Sequence, residues 1–264
     1  MTDLENTQRQ TKSKVLLIGD SCVDEYRIGI VDRLSPEAPV PVIKLVDRST
    51  VPGMAANVRL NLLALDLDVD FVTNKKTITK TRYIDSRSKQ HLLRVDDEPE
   101  IDQWDGNLPK NIEEYEAVII SDYNKGFLSY KDIKHLIEHA LCPIFIDTKK
   151  TELEEFSADN VFVKINELEY KSARSLPRNL IVTLGERGAR LKTPDSDTTY
   201  PTRRVEVVDV CGCGDTFLST LSCTYILTDD IDLAITTANF ASSITVQHSG
   251  NYAPKFKEIL NARH

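Results

Sequence analysis

Short, unbroken runs of aliphatic and β-branched residues alternate along this chain with longer stretches of helical period. The runs at 15–19, 117–121, 143–147, 161–165, 180–184 and 189–192 predict strands. Segments such as Val-Leu-Leu-Ile and Val-Ile-Ile are apolar at successive positions, which suits strands buried on both faces of a mainly parallel sheet. Between them, residues 55–65 set Val58, Leu62 and Leu65 on one face, and residues 131–140 do the same with Ile133, Leu136 and Ile137. Residues 233–247 have helical period and are apolar enough to be buried. The alternation predicts an α/β fold whose ligands bind at the carboxyl ends of the strands.

Two stretches break the pattern. Residues 28–46 carry Pro36, Pro39 and Pro41 among alternating apolar positions, and 77–96 alternate polar and apolar without helical period. Both predict β segments apart from the main sheet, with proline held to edges, and together they make a small β lid. The 264 residues suit one domain over 14–264 behind a flexible polar tail at 1–13 that lacks the apolar core of a secretory signal.

A net charge of −8 argues against non-specific binding to nucleic acid or anionic membranes, and no apolar run is long enough to span a bilayer. Five cysteines, an odd number in mostly apolar surroundings, fit a reducing cytoplasm and structural thiols. Cys211 and Cys213 form a C-x-C, without a second Cys/His pair nearby to complete a zinc site.

The chemistry concentrates in Asp209-Val210-Cys211-Gly212-Cys213-Gly214-Asp215-Thr216, ahead of the apolar run at 217–227. A glycine turn opening a helix leaves backbone N–H groups unpaired, and the helix dipole adds partial positive charge. Such a terminus holds a phosphate without a cationic side chain, and Asp215 sits where a carboxylate could take a hydroxyl proton. A capped helix after a turn reads equally well from this segment alone.

Other segments, in order, are Gly19-Asp20-Ser21-Cys22-Val23-Asp24, the run from Arg33 to Val42, and Pro52-Gly53-Met54-Ala55-Ala56-Asn57. They continue with the cation-rich 77–96, Ser121-Asp122-Tyr123-Asn124-Lys125-Gly126, Asp147-Thr148-Lys149, Asn166-Glu167-Leu168-Glu169, and Val182 to Gly188. Taken together they resemble the ribokinase-like (PfkB) carbohydrate kinases over residues 14–250, and 33–42 resembles the start of the lid in heptose 7-phosphate kinases.

The resemblance implies an ATP- and Mg²⁺-dependent kinase with Asp215 as base and Gly212, Cys213 and Gly214 as anion cradle. It implies a sugar site at Asp24, Gly53, Asn57, Lys80, Arg82, Arg87, Asp122 and Lys125. The nucleotide falls to Lys149, Asn166, Thr183, Gly185, Gly188 and Asn239, and Glu169 reaches the metal through water. The expected substrate is a small sugar phosphate, a heptose 7-phosphate that accepts a phosphoryl group at its C1 hydroxyl, with a homodimer formed through the β lid. The length leaves adenylylation to a separate nucleotidyltransferase.

Two departures stand out. Met54 replaces the second glycine of the family's sugar loop, and Asn74-Lys75-Lys76 joins strand to lid where the family has one further βα unit. The deletion is expected to shorten the sheet or leave a new edge. A non-catalytic sugar- or nucleotide-binding protein and a kinase for another sugar remain alternatives.

Overall fold

The computed structural model describes residues 12–262. Of the expected tail, 1–11 lie outside the described residues; Ser13 is buried, and its carbonyl accepts from the Asp68 N–H.

The chain opens with strand β1 (Lys14–Gly19), crosses into two long lid strands, β2 (Ser21–Leu34) and β3 (Pro41–Met54), and returns through helix α1 (Ala55–Ala64). Strand β4 (Asp68–Thr73) leads to the lid strands β5 (Ile78–Asp85) and β6 (His91–Asp97). Then come β7 (Ala117–Asp122), α2 (Tyr130–His139), β8 (Ile144–Thr148), β9 (Val161–Asn166) and α3 (Glu167–Ser172). An antiparallel run of β10 (Leu180–Thr183), β11 (Ala189–Lys192) and β12 (Asp197–Tyr200) precedes α4 (Cys213–Thr228), α5 (Ile231–Thr245) and α6 (Phe256–Asn261).

Eight strands form the main sheet in the order β12-β11-β10-β9-β8-β7-β1-β4, parallel from β10 to β4. The doubly apolar strands explain the layers. Leu16, Ile18, Val118 and Ile120 face one core with Ile133 and Leu136 of α2, while Val15, Leu17 and Ile119 face the other with Val58, Leu62, Phe217 and Leu221. The strand order reverses about β1, the point where a sheet of this kind opens a crevice at its carboxyl edge.

The lid is a separate four-stranded sheet, β3-β2-β5-β6. It is larger than the predicted 28–46 and 77–96, because β2 starts at Ser21 and β3 runs to Met54. The apolar alternation is masked there by Asp24 and Glu25, both buried and paired with Arg82 and with Arg27 and Arg48. Proline stays at the margin, with Pro41 opening β3 and Pro52 on the same edge strand.

As the short Asn74-Lys75-Lys76 connection implied, β4 passes directly to β5 and forms an edge of the main sheet. Asn74 secures the short connection, accepting from the Ser21 N–H at 2.7 Å and donating to the carbonyl of Lys76 at 2.7 Å. Strand β12 was not predicted: Asp-Thr-Thr-Tyr is polar and mostly exposed, and an edge strand needs no buried alternation. All five cysteines are free, and no helix among the described residues is long and apolar enough to cross a membrane.

Candidate active site

Helix α4 starts without a side-chain cap. Its N-cap, Gly212, has a left-handed φ of 71°, and a Cβ there would lie 2.7 Å from Asn57 Nδ2, so both backbone and space require glycine. An uncapped first turn leaves N–H groups for an anionic ligand. Asp215 lies in that turn and is buried. Its Oδ2 accepts from Asn57 Nδ2 at 2.7 Å, and its Oδ1 from the Tyr123 hydroxyl at 3.0 Å. Burial pushes its pKa up to about 6; the charge of Asp147 adds to the rise, and Asn57, Lys164 and Tyr123 oppose it.

Two cavities meet at this carboxylate. One, of about 500 Å³, runs along the carboxyl ends of β8, β9 and β10 past Asp147, Lys164, Asn166 and Gly185. The other, of about 390 Å³, opens beneath the lid between Asp24, Arg82 and Lys125. Tyr123, Lys149, Gly212 and Asp215 line both.

The lid cavity contains most of the residues expected to hold a sugar. Asp24, Gly53, Lys80, Arg82 and Lys125 line it, while Asn57 lies behind it as the donor to Asp215. Gly53 cannot gain a side chain, since a Cβ would come 2.2 Å from Asp24 Oδ2. Arg82 pairs with Asp24 at 2.5 Å, Lys80 with Glu98 at 2.7 Å and Lys125 with Glu98 at 2.6 Å. Arg94, which also lines this cavity, pairs with Asp96 at 2.7 Å. Five cations (Lys80, Arg82, Arg94, Lys125 and Lys149) and two carboxylates (Asp24 and Asp215) thus line this cavity in an otherwise acidic protein.

Besides Asn57, two expected sugar contacts line neither cavity. Asp122 is buried with its carboxylate already used by the Thr148 hydroxyl at 2.6 Å, the Asn124 N–H at 3.0 Å and Lys150 at 3.0 Å. Arg87 sits exposed in the β5–β6 turn, paired with an equally exposed Asp32. Sequence spacing put both in the right segments, but the strand ends there direct them away from the cavity.

On the nucleotide side, Lys149, Asn166, Thr183, Gly185, Gly188, Asn239, Gly212, Cys213 and Gly214 all line the larger cavity. Asn239 donates to the Tyr200 carbonyl at 2.9 Å. Gly185 opens a single turn of 3₁₀ helix and Gly188 follows its last residue. Glu169 is engaged elsewhere: it closes a capping box with Asn166, accepting from the Asn166 N–H at 2.8 Å, and its other oxygen pairs with Lys149.

Met54 resolves the first departure. It holds φ 56° and ψ −134°, a combination that glycine takes readily and residues with a β-carbon rarely do. Its side chain is buried beside Cys22 and Ile78. Met54→Ala keeps the strain and loses the packing, whereas Met54→Gly loses the packing and relieves the strain. The glycine variant is therefore expected to be the more stable of the two by about 1 kcal/mol, against the usual order of these residues. Chemical denaturation of both checks this, and an alanine variant as stable as the glycine one refutes it.

Several site residues were missed or left unassigned in the sequence. Lys164 is buried on β9, its Nζ 2.7 Å from Asp147 Oδ2 and 3.3 Å from the Gly214 carbonyl. Burial works against its charge, but Asp147, Asp215 and Glu169 outweigh that and hold its pKa above the ordinary value. A lone lysine within Val-Phe-Val-Lys-Ile-Asn was the available signal. Asp20 is fully buried and accepts from the Tyr123 N–H at 2.7 Å and the Phe127 N–H at 3.3 Å, which sets the loop that carries Tyr123. Asn251 reaches the lid cavity from a loop far along the chain, donating to the Pro52 carbonyl at 2.9 Å, and no local signal announced it.

A mainly parallel sheet with a β lid, and an acid at an uncapped helix start between two cavities, define a ribokinase-like fold. Solved structures share it: the ribokinase of Thermotoga maritima (TM-score 0.73, 14% identity, covering 94% of this chain and 98% of that one) and an Arabidopsis thaliana ribokinase complexed with ribose and ATP (TM-score 0.71, 14% identity, 96% and 99%). Residues 129–257 match the pfkB family of carbohydrate kinases. Its curated relatives include proteins named bifunctional protein HldE from Koribacter versatilis (30% identity over 94% of this chain and 62% of the relative) and from Haemophilus influenzae (31%, 96% and 64%). The chain spans a little under two thirds of the length of these relatives. The aligned length of 306 positions with the first exceeds the 264 residues here, so that relative carries residues this chain lacks.

Proposed function

We propose that the protein transfers the γ-phosphoryl group of ATP to a hydroxyl of a sugar phosphate, with the C1 hydroxyl of a heptose 7-phosphate as the preferred acceptor. The observation that carries this reading is Asp215 at the junction of the two cavities, beside an uncapped helix terminus. Asp215 takes the hydroxyl proton while the sugar oxygen bonds to phosphorus and the bond to the departing ADP breaks. The N–H groups at the start of α4 stabilise the charge on the moving group, and Lys164 supports them by holding the Gly214 carbonyl. The surplus cations beneath the lid suit the phosphate already on the sugar. The run from Arg33 to Val42, which resembles the start of the lid in heptose 7-phosphate kinases, favours heptose over ribose or fructose.

Mg²⁺ fits the residues present. Asp147 Oδ1 is buried without a hydrogen-bond partner on the wall of the larger cavity, and Asp147 would hold the ion through its waters. When bound, it neutralises charge on the β- and γ-phosphates. The exposed Leu34, Val40, Leu45, Val46, Leu93 and Val95 of the lid support a homodimer formed through that sheet. The free thiols support a cytoplasmic location. On the heptose reading the partner enzyme is a nucleotidyltransferase.

ATP consumption with heptose 7-phosphate, ribose, fructose and fructose 6-phosphate tests the proposal. Turnover on the heptose phosphate supports it; binding of ATP or sugar without turnover on any of them favours a non-catalytic binding protein. Because the base must be ionised and its pKa is about 6, kcat/KM is expected to fall tenfold per pH unit below about 6. A profile flat from pH 7 to pH 5 would show that Asp215 is not the base.

A further inference from the structure

We propose that the last turns of α2 bind a divalent ion of the zinc–copper class through His135, Glu138 and His139. This site lies apart from both cavities and does not rest on the kinase reading. The spacing i, i+3, i+4 puts the three side chains on one helical face. Their ligand atoms all fall within 4.8 Å of one another, and the two imidazole centroids are 4.3 Å apart.

A second observation points to a ligand. His139 Nδ1 lies 2.8 Å from the His135 carbonyl. A carbonyl only accepts, so Nδ1 carries the proton and the lone pair is on Nε2. The second nitrogen of a metal-bound histidine is commonly fixed in this way.

The surroundings leave the ligands available. Among the described residues no lysine or arginine pairs with Glu138; Lys134 is paired with Glu155, and Asp132 is engaged by Ser129 and Gln103. Two imidazoles and one carboxylate suit zinc or copper better than magnesium or calcium, and three protein ligands leave a position for water. The bound ion would tie together the final turn of α2, where the carbonyls lose their helical partners.

The chain has a single tryptophan, Trp104, and its ring lies 6.3 Å from the His135 ring on the wall of a cavity that also includes Glu138. It is a built-in reporter, since Cu²⁺ bound beside it quenches its emission. Titration of the untagged protein with Cu²⁺ is expected to quench Trp104 saturably at one equivalent, with competition by Zn²⁺ and reversal by a chelator. His139→Asn is expected to weaken the apparent affinity by at least about tenfold, and Glu138→Gln to weaken it less. Zn²⁺ should also raise the Tm of the wild-type protein and not that of His139→Asn. All three side chains lie outside the core, so the variants are expected to fold. Quenching that fails to saturate, or that is the same in His139→Asn, overturns the proposal.

Discussion

Asp215→Asn is expected to lower kcat by about 10²- to 10⁴-fold while leaving ATP binding intact. Asparagine has the same shape as the aspartate it replaces and retains an oxygen to accept from Asn57 or Tyr123, but it cannot take the proton. The same change is expected to stabilise the protein. A carboxyl whose folded pKa is raised favours the folded state below its unfolded value of 3.8 and loses that contribution as pH rises through about 6. At neutral pH the buried charge therefore costs about 3 kcal/mol, part of which the variant recovers. Single-turnover kinetics and thermal denaturation together test this. Reduced turnover with a lower Tm would point to a folding defect; undiminished turnover would remove Asp215 from the mechanism.

Gly212→Ala is the other change of large expected effect, about 10²- to 10³-fold in kcat. The added methyl group meets Asn57 Nδ2, the donor to Asp215, and the left-handed φ is strained for alanine. The first turn of α4 must shift, and its N–H groups with it. Because Asn57 moves as well, the effect reaches the base and the anion cradle together. Asn57→Ala separates the two: it leaves the turn alone and removes one donor that holds the pKa of Asp215 down, so its pH profile is expected to move upward. An upward shift of the same size in Gly212→Ala, with no loss at high pH, would mean the helix terminus contributes little.

How much of this was legible depended on how local the cause was. The central strands could be read because burial on both faces writes itself as continuous apolar runs such as those of β1 and β7. Asp215 and its glycines could be read because the turn and the helix start are contiguous. The extent of the lid could not: buried Asp24 and Glu25 look like surface residues until Arg82, Arg27 and Arg48 are placed beside them. Asp122 sits in the expected loop, yet its carboxylate faces Thr148 and Lys150, and only the packing of β7 against the β8 loop decides that.

The sequence by itself determined the α/β class, the central parallel strands and the identity of the acid at the start of α4. These follow from periodicity and short-range backbone rules, which act over a few residues. The tertiary structure decided the rest. It brought Asn57, Tyr123, Asp147 and Lys164 from four separate elements around Asp215, raised its pKa by burial, and let Met54 hold a backbone suited to glycine. It also left β4 as the edge of the sheet. Burial and electrostatic coupling between groups far apart in sequence exist only once the chain has closed on itself, and no local pattern encodes them.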